Sequence, residues 1–206
     1  MTAATAHFSS NTTVLTGRSL RHILRSPDTI ITTAVMPVAI MVLFVYVFGG
    51  AINTGSLEYI DYMLPGILLI TVASGVAYTA FRLFTDVQSG VFERFQSMPI
   101  ARSSALWAHV LTSLAANLLS LALVIAVALV MGFRTGASVA GWLAVAGMLT
   151  LVTLALTWVA VVAGLSAKSV EGASAFSYPL IFLPFVSSAF VPTDTMPGPV
   201  RWFAEN

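Results

Sequence analysis

Of the 206 residues, 58% are hydrophobic and only 8% carry a formal charge, whereas an ordinary soluble domain has about 25% charged residues. So few charges cannot cover a water-facing surface, which indicates lipid around most of the chain and excludes a soluble enzyme domain. The net charge of +1 gives no general attraction to nucleic acid, and the lack of cysteine excludes disulfides, thiolate catalysis and cysteine-based zinc sites.

The first predicted element is a short helix over residues 11–26 that lies in the membrane interface. At 100° per residue, Arg18, Arg21 and Arg25 fall within about 60° of one another, and apolar side chains lie opposite. Such a helix places its arginines toward lipid phosphates. An ordinary basic flank of a membrane span explains the same residues equally well, so both interpretations stay open.

Five stretches are apolar and long enough to cross a hydrocarbon core, which takes about 20 residues of helix. They cover residues 30–50, 63–84, 105–131, 139–165 and 173–191. Because lipid cannot satisfy bare backbone groups, each stretch is expected to be helical. The fold class predicted from this pattern is an all-α integral membrane protein, with a single transmembrane domain over residues 1–206.

The basic residues predict the orientation of these spans. Seven of them fall on one side, namely Arg18, Arg21, Arg25, Arg82, Arg94, Arg102 and Lys168, and two fall on the other, Arg134 and Arg201. Since Lys and Arg accumulate in cytoplasmic loops, the N-terminus is predicted to be cytoplasmic. Residues 192–206 then form an extracellular loop.

A second amphipathic stretch, residues 86–99, occupies the inner loop between the second and third predicted spans. Val87, Val91 and Phe95 line one helical face, polar residues line the other, and Pro99 ends the stretch. A helix with an apolar stripe outside the hydrocarbon must pack on something. Composition leaves open whether that is the protein's own spans or a partner protein.

Polar side chains inside the predicted spans are few. Asn117 lies near mid-membrane, and Thr71 and Ser74 are milder cases in the second span. Hydrogen bonding between helices is the default role of such residues, and contact with a transported substrate is the sharper alternative. His109 lies a few residues from the inner end of the third span, where a headgroup or backbone contact is favoured over a proton relay.

Two local contacts are also expected at the inner ends of spans. Arg82 and Asp86 are four residues apart on one helix, a spacing that allows an ion pair. The small residues Ala160, Gly164 and Ala167 predict a close approach of a neighbouring helix.

No motif for covalent chemistry is recognisable. Residues 164–169 come nearest to a phosphate-binding loop, but they lack the glycine before the lysine and they end a span. The three histidines are scattered along the chain, which argues against a metal site. The sequence therefore predicts the body of a transporter without its own energy source. Either an ATPase on another polypeptide drives it, or it is not an active transporter.

Four segments, in their order and topology, point to one family. They are residues 46–52 at the end of the first span, 62–68 at the start of the second, 86–102 in the inner loop and 190–197 after the fifth span. Together they closely resemble the permease subunits of the ABC-2 type export family, especially its daunorubicin/doxorubicin-resistance branch.

The resemblance implies a type V exporter-like helical bundle in which two permease copies, expected to form a homodimer, pair with two ATPase subunits. ATP and Mg would be bound by the ATPase, and this chain would bind no cofactor. Residues 11–26 would be the connecting helix and residues 86–99 the coupling helix that docks on the ATPase. The coupling residues carried over from the family motif and its stripe are Asp86, Gly90, Glu93, Arg94, Phe95 and Pro99. Family members have six spans, so a sixth is expected beyond Asn206.

The leading interpretation is the transmembrane subunit of an ATP-driven exporter of amphipathic small molecules, antibiotics or lipids, in the bacterial inner membrane. Membrane lipids are expected partners and nucleic acid is not. Thr71, Ser74 and Asn117 are the candidates for a substrate path. The alternatives are an ABC-2 permease for lipid-linked glycans and a non-transporting membrane accessory protein. A secondary transporter is disfavoured because buried carboxylates and inverted repeats are missing.

Overall fold

The structure is a computed structural model that describes residues 27–49, 58–90, 102–187, 189–190 and 197–205. Every regular element in these ranges is helical, which confirms the predicted all-α fold. The helices are α1 (Pro27–Leu43), continued by a π-helical segment (Phe44–Phe48), α2 (Tyr59–Gln88), α3 (Arg102–Val130), α4 (Val139–Ser166), α5 (Val170–Ala175), α6 (Ser177–Val186) and α7 (Gly198–Glu205).

Three helices are long and apolar enough to cross a membrane: α2, α4 and the part of α3 from Leu106 to Val130. They correspond to the second, third and fourth predicted spans. The first and fifth predicted spans contain shorter apolar helices, Thr33–Phe48 and Val170–Val186. The total of five spans therefore stays a prediction. Following the predicted orientation, we call the end of α2 at Tyr59 the outer end and the end at Gln88 the inner end.

α2 forms the centre of the bundle and contacts α1, α3, α4, α5 and α6. Met63 and Ile67 on its outer half are fully buried, and they belong to the same apolar cluster as Leu121 and Val124 of α3. Because lipid is as apolar as a leucine side chain, close packing rather than removal from water holds such helices together. The many-sided burial of α2 makes it the element through which the other helices are connected.

Two glycines permit close approaches between α2 and apolar neighbours. A Cβ added at Gly164 of α4 would lie 2.8 Å from the backbone oxygen of Ala80, so only a glycine fits there without a shift. A Cβ added at Gly66 would lie 2.9 Å from the Cβ of Ala189. Ala160, one turn before Gly164, is fully buried. The close helix contact predicted at the inner end of the fourth span is thus confirmed at Gly164 and Ala160.

The fifth predicted span, residues 173–191, differs from the structure. It is divided between α5 and α6, which are separated at Phe176, and α6 ends at Val186. Pro179 has no N–H to donate to the carbonyl of Ala175, and its ring crowds that carbonyl, which weakens the helical hydrogen bonding at this point within the apolar stretch Val170–Val186. Uniform hydrophobicity across the segment concealed the break.

The segment predicted as a loop, residues 192–206, also differs. Its described part contains the helix α7, which begins at Gly198 and has Pro199 in its first turn. Proline is favoured there because the first helical N–H groups have no partner within the helix. Whether this helix lies outside the cell stays a prediction.

Candidate functional site

The inner end of α2 runs into the predicted coupling segment. The helix continues to Gln88, so Asp86 belongs to its last turn rather than to a separate helix. Gly90 follows with a φ of 71°, a left-handed conformation that ends helices and that glycine adopts at least cost. Gly90 thus marks the end of the helical conformation that α2 begins. The remaining predicted coupling residues lie outside the described residues, as does the predicted helix 11–26, and their roles stay predictions: Glu93, Arg94, Phe95 and Pro99.

Asp86 faces α3 rather than its own helix. Its Oδ2 atom lies 4.0 Å from Nδ1 of His109, whose side chain is only 10% exposed. In the described part of the chain, the ion pair expected between Arg82 and Asp86 is absent, because the carboxylate turns toward this imidazole. Of the headgroup or backbone contact expected for His109, the backbone alternative is the one supported, since the imidazole lies between helices beside the backbone of Thr79. His109 therefore links α3 to the turn of α2 that precedes the coupling segment.

A stripe of buried polar side chains continues from His109 along one face of α3. Spacings of three and four residues place its members on the same side of the helix. Facing them are two hydroxyl side chains and one glycine of α1 and α2. We call this set the polar seam; it consists of His109, Thr112, Ser113, Asn117 and Ser120 of α3, with Thr33 of α1 and Gly75 and Thr79 of α2.

Part of the polar seam is bonded internally. The hydroxyls of Thr33 and Ser120 are 2.7 Å apart and join α1 to α3 at the deep end of the stripe. Thr79 Oγ1 donates to the backbone oxygen of Gly75 at 2.9 Å. The Asn117 side chain packs directly on Gly75, where an added Cβ would lie 2.5 Å from its Cγ. A larger residue at position 75 would therefore displace the amide.

The rest of the polar seam is unsatisfied. His109 Nε2, Thr112 Oγ1 and Asn117 Oδ1 are buried, and within the described structure they have no hydrogen-bond partner. Beside Asn117 lies a cavity of about 10 Å³, walled also by Ser113 and Arg82. That is about the space that one water molecule requires.

The three residues proposed from sequence for a substrate path do not share one surface. Asn117 lines this cavity. Thr71 is fully buried, and its Oγ1 donates to the backbone oxygen of Ile67 at 2.7 Å, within its own helix. Ser74 is half-buried and does not line the cavity. Their part in transport stays a prediction, and Asn117 is the one of the three that lines the cavity.

A second candidate site is an apolar groove of about 390 Å³ between the outer halves of α2 and α4. Its volume lies in the range of small-molecule sites, about 300–1,000 Å³. The rings of Phe133 and Trp142 meet edge-on at a centroid distance of 6.4 Å on one wall. The carboxylate of Asp61 lies at the rim and accepts a hydrogen bond of 3.2 Å from the backbone N–H of Arg134. Sequence reasoning missed this groove because its two walls are some seventy residues apart, as the 73-residue separation of this hydrogen bond shows.

Comparison with known proteins adds to this geometry. The chain matches the ABC-2 type transporter family over residues 10–206. It is also similar to the daunorubicin resistance ABC transporter permease protein DrrB1 of Streptomyces coeruleorubidus, with 33% identity over 179 residues. The matched region covers 84% of this chain and 61% of that protein, so the chain spans less than two thirds of this relative's length. No solved structure matches the chain.

Proposed function

Since the chain belongs to the ABC-2 type transporter family, we propose that it is the transmembrane subunit of an ATP-driven exporter of amphipathic small molecules. The observation that carries the proposal is the family match over residues 10–206, and the 33% identity with a drug-resistance permease narrows it to export. The resemblance predicted from four sequence segments is thereby confirmed.

The apolar groove supports an amphipathic cargo. Its walls come from apolar and aromatic side chains of α2 and α4, with Asp61 and Thr135 as its polar side chains. A groove of this composition suits a body of fused rings or an alkyl chain better than a glycan, whose hydroxyls need many hydrogen-bond partners. This favours a drug or lipid over a lipid-linked glycan as the transported molecule.

The energy comes from a partner. Permeases of this family associate with an ABC ATPase subunit, and ATP and Mg would bind to that subunit. A second copy of this chain would complete the transport unit, surrounded by lipids of the bacterial inner membrane. The seven basic residues on one side of the spans support a cytoplasmic N-terminus and a cytoplasmic coupling segment.

The inner end of α2 is suited to transmit movement from that partner. Asp86 lies in the last turn of α2 and Gly90 directly after it, and α2 contacts five other helices. A displacement of the coupling segment would reach α2 directly and α3 through the contact of Asp86 with His109. The permease needs no covalent chemistry for this role, since it contributes a path and differential affinity for the cargo in two conformations.

The test is transport in inverted membrane vesicles that contain the chain together with the ABC ATPase that copurifies with it. Addition of MgATP should cause accumulation of daunorubicin, followed by its fluorescence. The variants Phe95→Ala and Glu93→Arg should abolish accumulation and the transport-stimulated part of ATP hydrolysis, whereas Asn11→Ala should have no effect. A large apolar side chain is worth roughly 1.5–3 kcal/mol in a docking cleft.

Three results would count against the proposal. Failure of any ATPase to copurify would favour a non-transporting accessory protein. ATP-independent accumulation driven by an ion gradient would indicate a secondary transporter. Full stimulation in both loop variants would show that residues 86–99 are not the coupling element.

A further inference from the structure

We propose that the polar seam is a hydrated crevice, open to water from the inner end of α2 and α3 and closed at the hydrogen bond between Thr33 and Ser120. This assigns a binding site for water, and for small hydrogen-bonding groups, to the inside of a single permease subunit. The inner end faces the cytoplasm only if the proposed orientation holds. The crevice itself does not depend on the export function.

The first argument is the set of unsatisfied atoms. Asn117 Oδ1, Thr112 Oγ1 and His109 Nε2 are buried without a hydrogen-bond partner in the described structure. In native proteins such groups are bonded to protein atoms or to ordered water. Lipid offers neither donors nor acceptors. Water is the ligand that fits three separate atoms of this kind along one helix face.

The second argument is space. The cavity beside Asn117 measures about 10 Å³, close to what one water requires. Gly75 lies on its wall, where the side chain of Asn117 packs directly against the glycine. The residues that line it include Ser113, Thr79 and Arg82, whose side chains carry groups that can hydrogen-bond a buried water.

The third argument is direction. Toward the inner end the seam passes the half-buried Arg82 and then the pair of Asp86 and His109, so charge and exposure both increase. Toward the outer end the same face of α3 becomes apolar: Leu121 and Val124 are buried in the main apolar cluster. Between these regions, the hydroxyls of Thr33 and Ser120 bond to each other and need no water. The crevice therefore opens inward and ends at that pair.

Single cysteine variants test this directly, because the chain contains no cysteine. Ser113 and Val124 lie on the same face of α3 and are almost equally buried, at 8% and 0% exposure. A difference in reactivity between Ser113→Cys and Val124→Cys therefore reports on water rather than on surface position. The probe is the silver ion in chloride-free buffer, applied to inverted vesicles. Silver is a membrane-impermeant cation that binds the thiolate, and thiolates form only where water is present.

The readout is the thiol left for a maleimide after denaturation. We expect silver to protect Ser113→Cys at least tenfold faster than Val124→Cys, and Thr79→Cys, on the opposite wall, to behave like Ser113→Cys. Equally slow protection of all three variants would show a dry seam and overturn the proposal. Equally fast protection would show general loosening, and it would also overturn it. Protection of Ser113→Cys and Thr79→Cys only in right-side-out vesicles would place the opening on the extracellular side and refute a cytoplasmic opening. None of these readouts requires transport. The silver-protection test can therefore succeed or fail whatever the result of the export assay.

Discussion

The outer and inner halves of α2 each present a glycine to a neighbouring segment, but the neighbours differ in chemistry. At Gly66 the neighbours are hydrocarbon, since an added Cβ would lie 2.8 Å from Cε2 of Phe190 and 2.9 Å from the Cβ of Ala189. At Gly75 the neighbour is the amide of Asn117. Both contacts are tight in space. Only the outer contact is also complete, because it contains no polar side-chain atom that needs a partner.

The outer half is further closed by aromatic rings. Phe185 and Phe190 stack at a centroid distance of 4.7 Å, and Phe44 lies 5.2 Å from Phe190. Tyr59 joins this cluster by donating its hydroxyl hydrogen to the backbone oxygen of Phe190 at 3.2 Å. Regions of dense packing resist opening, whereas incompletely bonded regions open at lower cost. We therefore expect the transport cycle to displace the inner half and to leave the outer half intact.

The largest effect is expected from opening the outer core. Ile67→Ala removes a fully buried side chain and should destabilise the protein by about 2–5 kcal/mol, because the surrounding helices cannot close the cavity. The measurement is thermal unfolding in detergent micelles. The control is Leu69→Ala on the same helix, where the side chain is 44% exposed and a change within about 0.5 kcal/mol is expected. Equal losses for both variants would mean that the outer core is not tightly packed.

A somewhat smaller loss is expected from crowding the contact between α2 and α4. Gly164→Val places a Cβ 2.8 Å from the backbone oxygen of Ala80, and overpacking of this kind costs about 1–3 kcal/mol. Gly147→Val is the matched control in the same helix, since no atom lies within 4 Å of a Cβ there. If both valine variants unfold at the temperature of the unmodified protein, the helices do not approach as described.

In the polar seam, an apolar replacement should leave stability nearly unchanged and should reduce transport instead. Asn117→Leu removes the unpaired Oδ1 atom at nearly constant volume, so stability should change by less than about 1 kcal/mol. Transport should nevertheless fall several-fold, because the inner half would lose its hydrated surface. The two measurements are unfolding temperature and vesicle uptake, with Leu119→Ala, at a position 36% exposed on the same helix, as the control. Unchanged uptake in Asn117→Leu would remove the seam from the transport cycle.

The smallest effect is expected at the boundary between the halves. The hydroxyls of Thr33 and Ser120 are 2.7 Å apart, and hydrogen bonds between membrane helices contribute about 0.6 kcal/mol on average. A double-mutant cycle with Thr33→Val and Ser120→Ala should return a coupling energy of this size. A coupling energy of zero would indicate that the pair does not close the seam.

The sequence predicted the long spans well and the contacts between them poorly. Apolar runs identify α2, α3 and α4 because hydrophobic length alone determines whether a helix can cross lipid. The interruption between α5 and α6 was missed, since residues 173–191 are apolar throughout and were predicted as one span. Gly90 was named through the family resemblance as a coupling residue, a role that stays a prediction; the structure shows that its φ is positive.

The candidate site was predicted only in part. Asn117 was recognised because an amide in a span is unusual, but its fit against Gly75 depends on the register of two helices, which local sequence does not encode. The contact of His109 with Asp86 likewise depends on the register of α2 and α3, so the sequence did not predict it. The spacing of His109, Ser113, Asn117 and Ser120 does contain a usable signal, because it places four polar residues on one face of α3.

The most direct measurement compares two disulfide locks in vesicles that contain the full complex. One joins Gly75→Cys to Asn117→Cys across the polar seam, and the other joins Gly66→Cys to Ala189→Cys in the outer half. In both pairs, a Cβ added at the glycine would contact the side chain of the partner residue. The chain has no native cysteine that could interfere. The account predicts that oxidation of the inner pair stops ATP-driven uptake until a reductant is added, while oxidation of the outer pair leaves uptake unchanged. Uptake that survives the inner lock, or stops with the outer one, would contradict it.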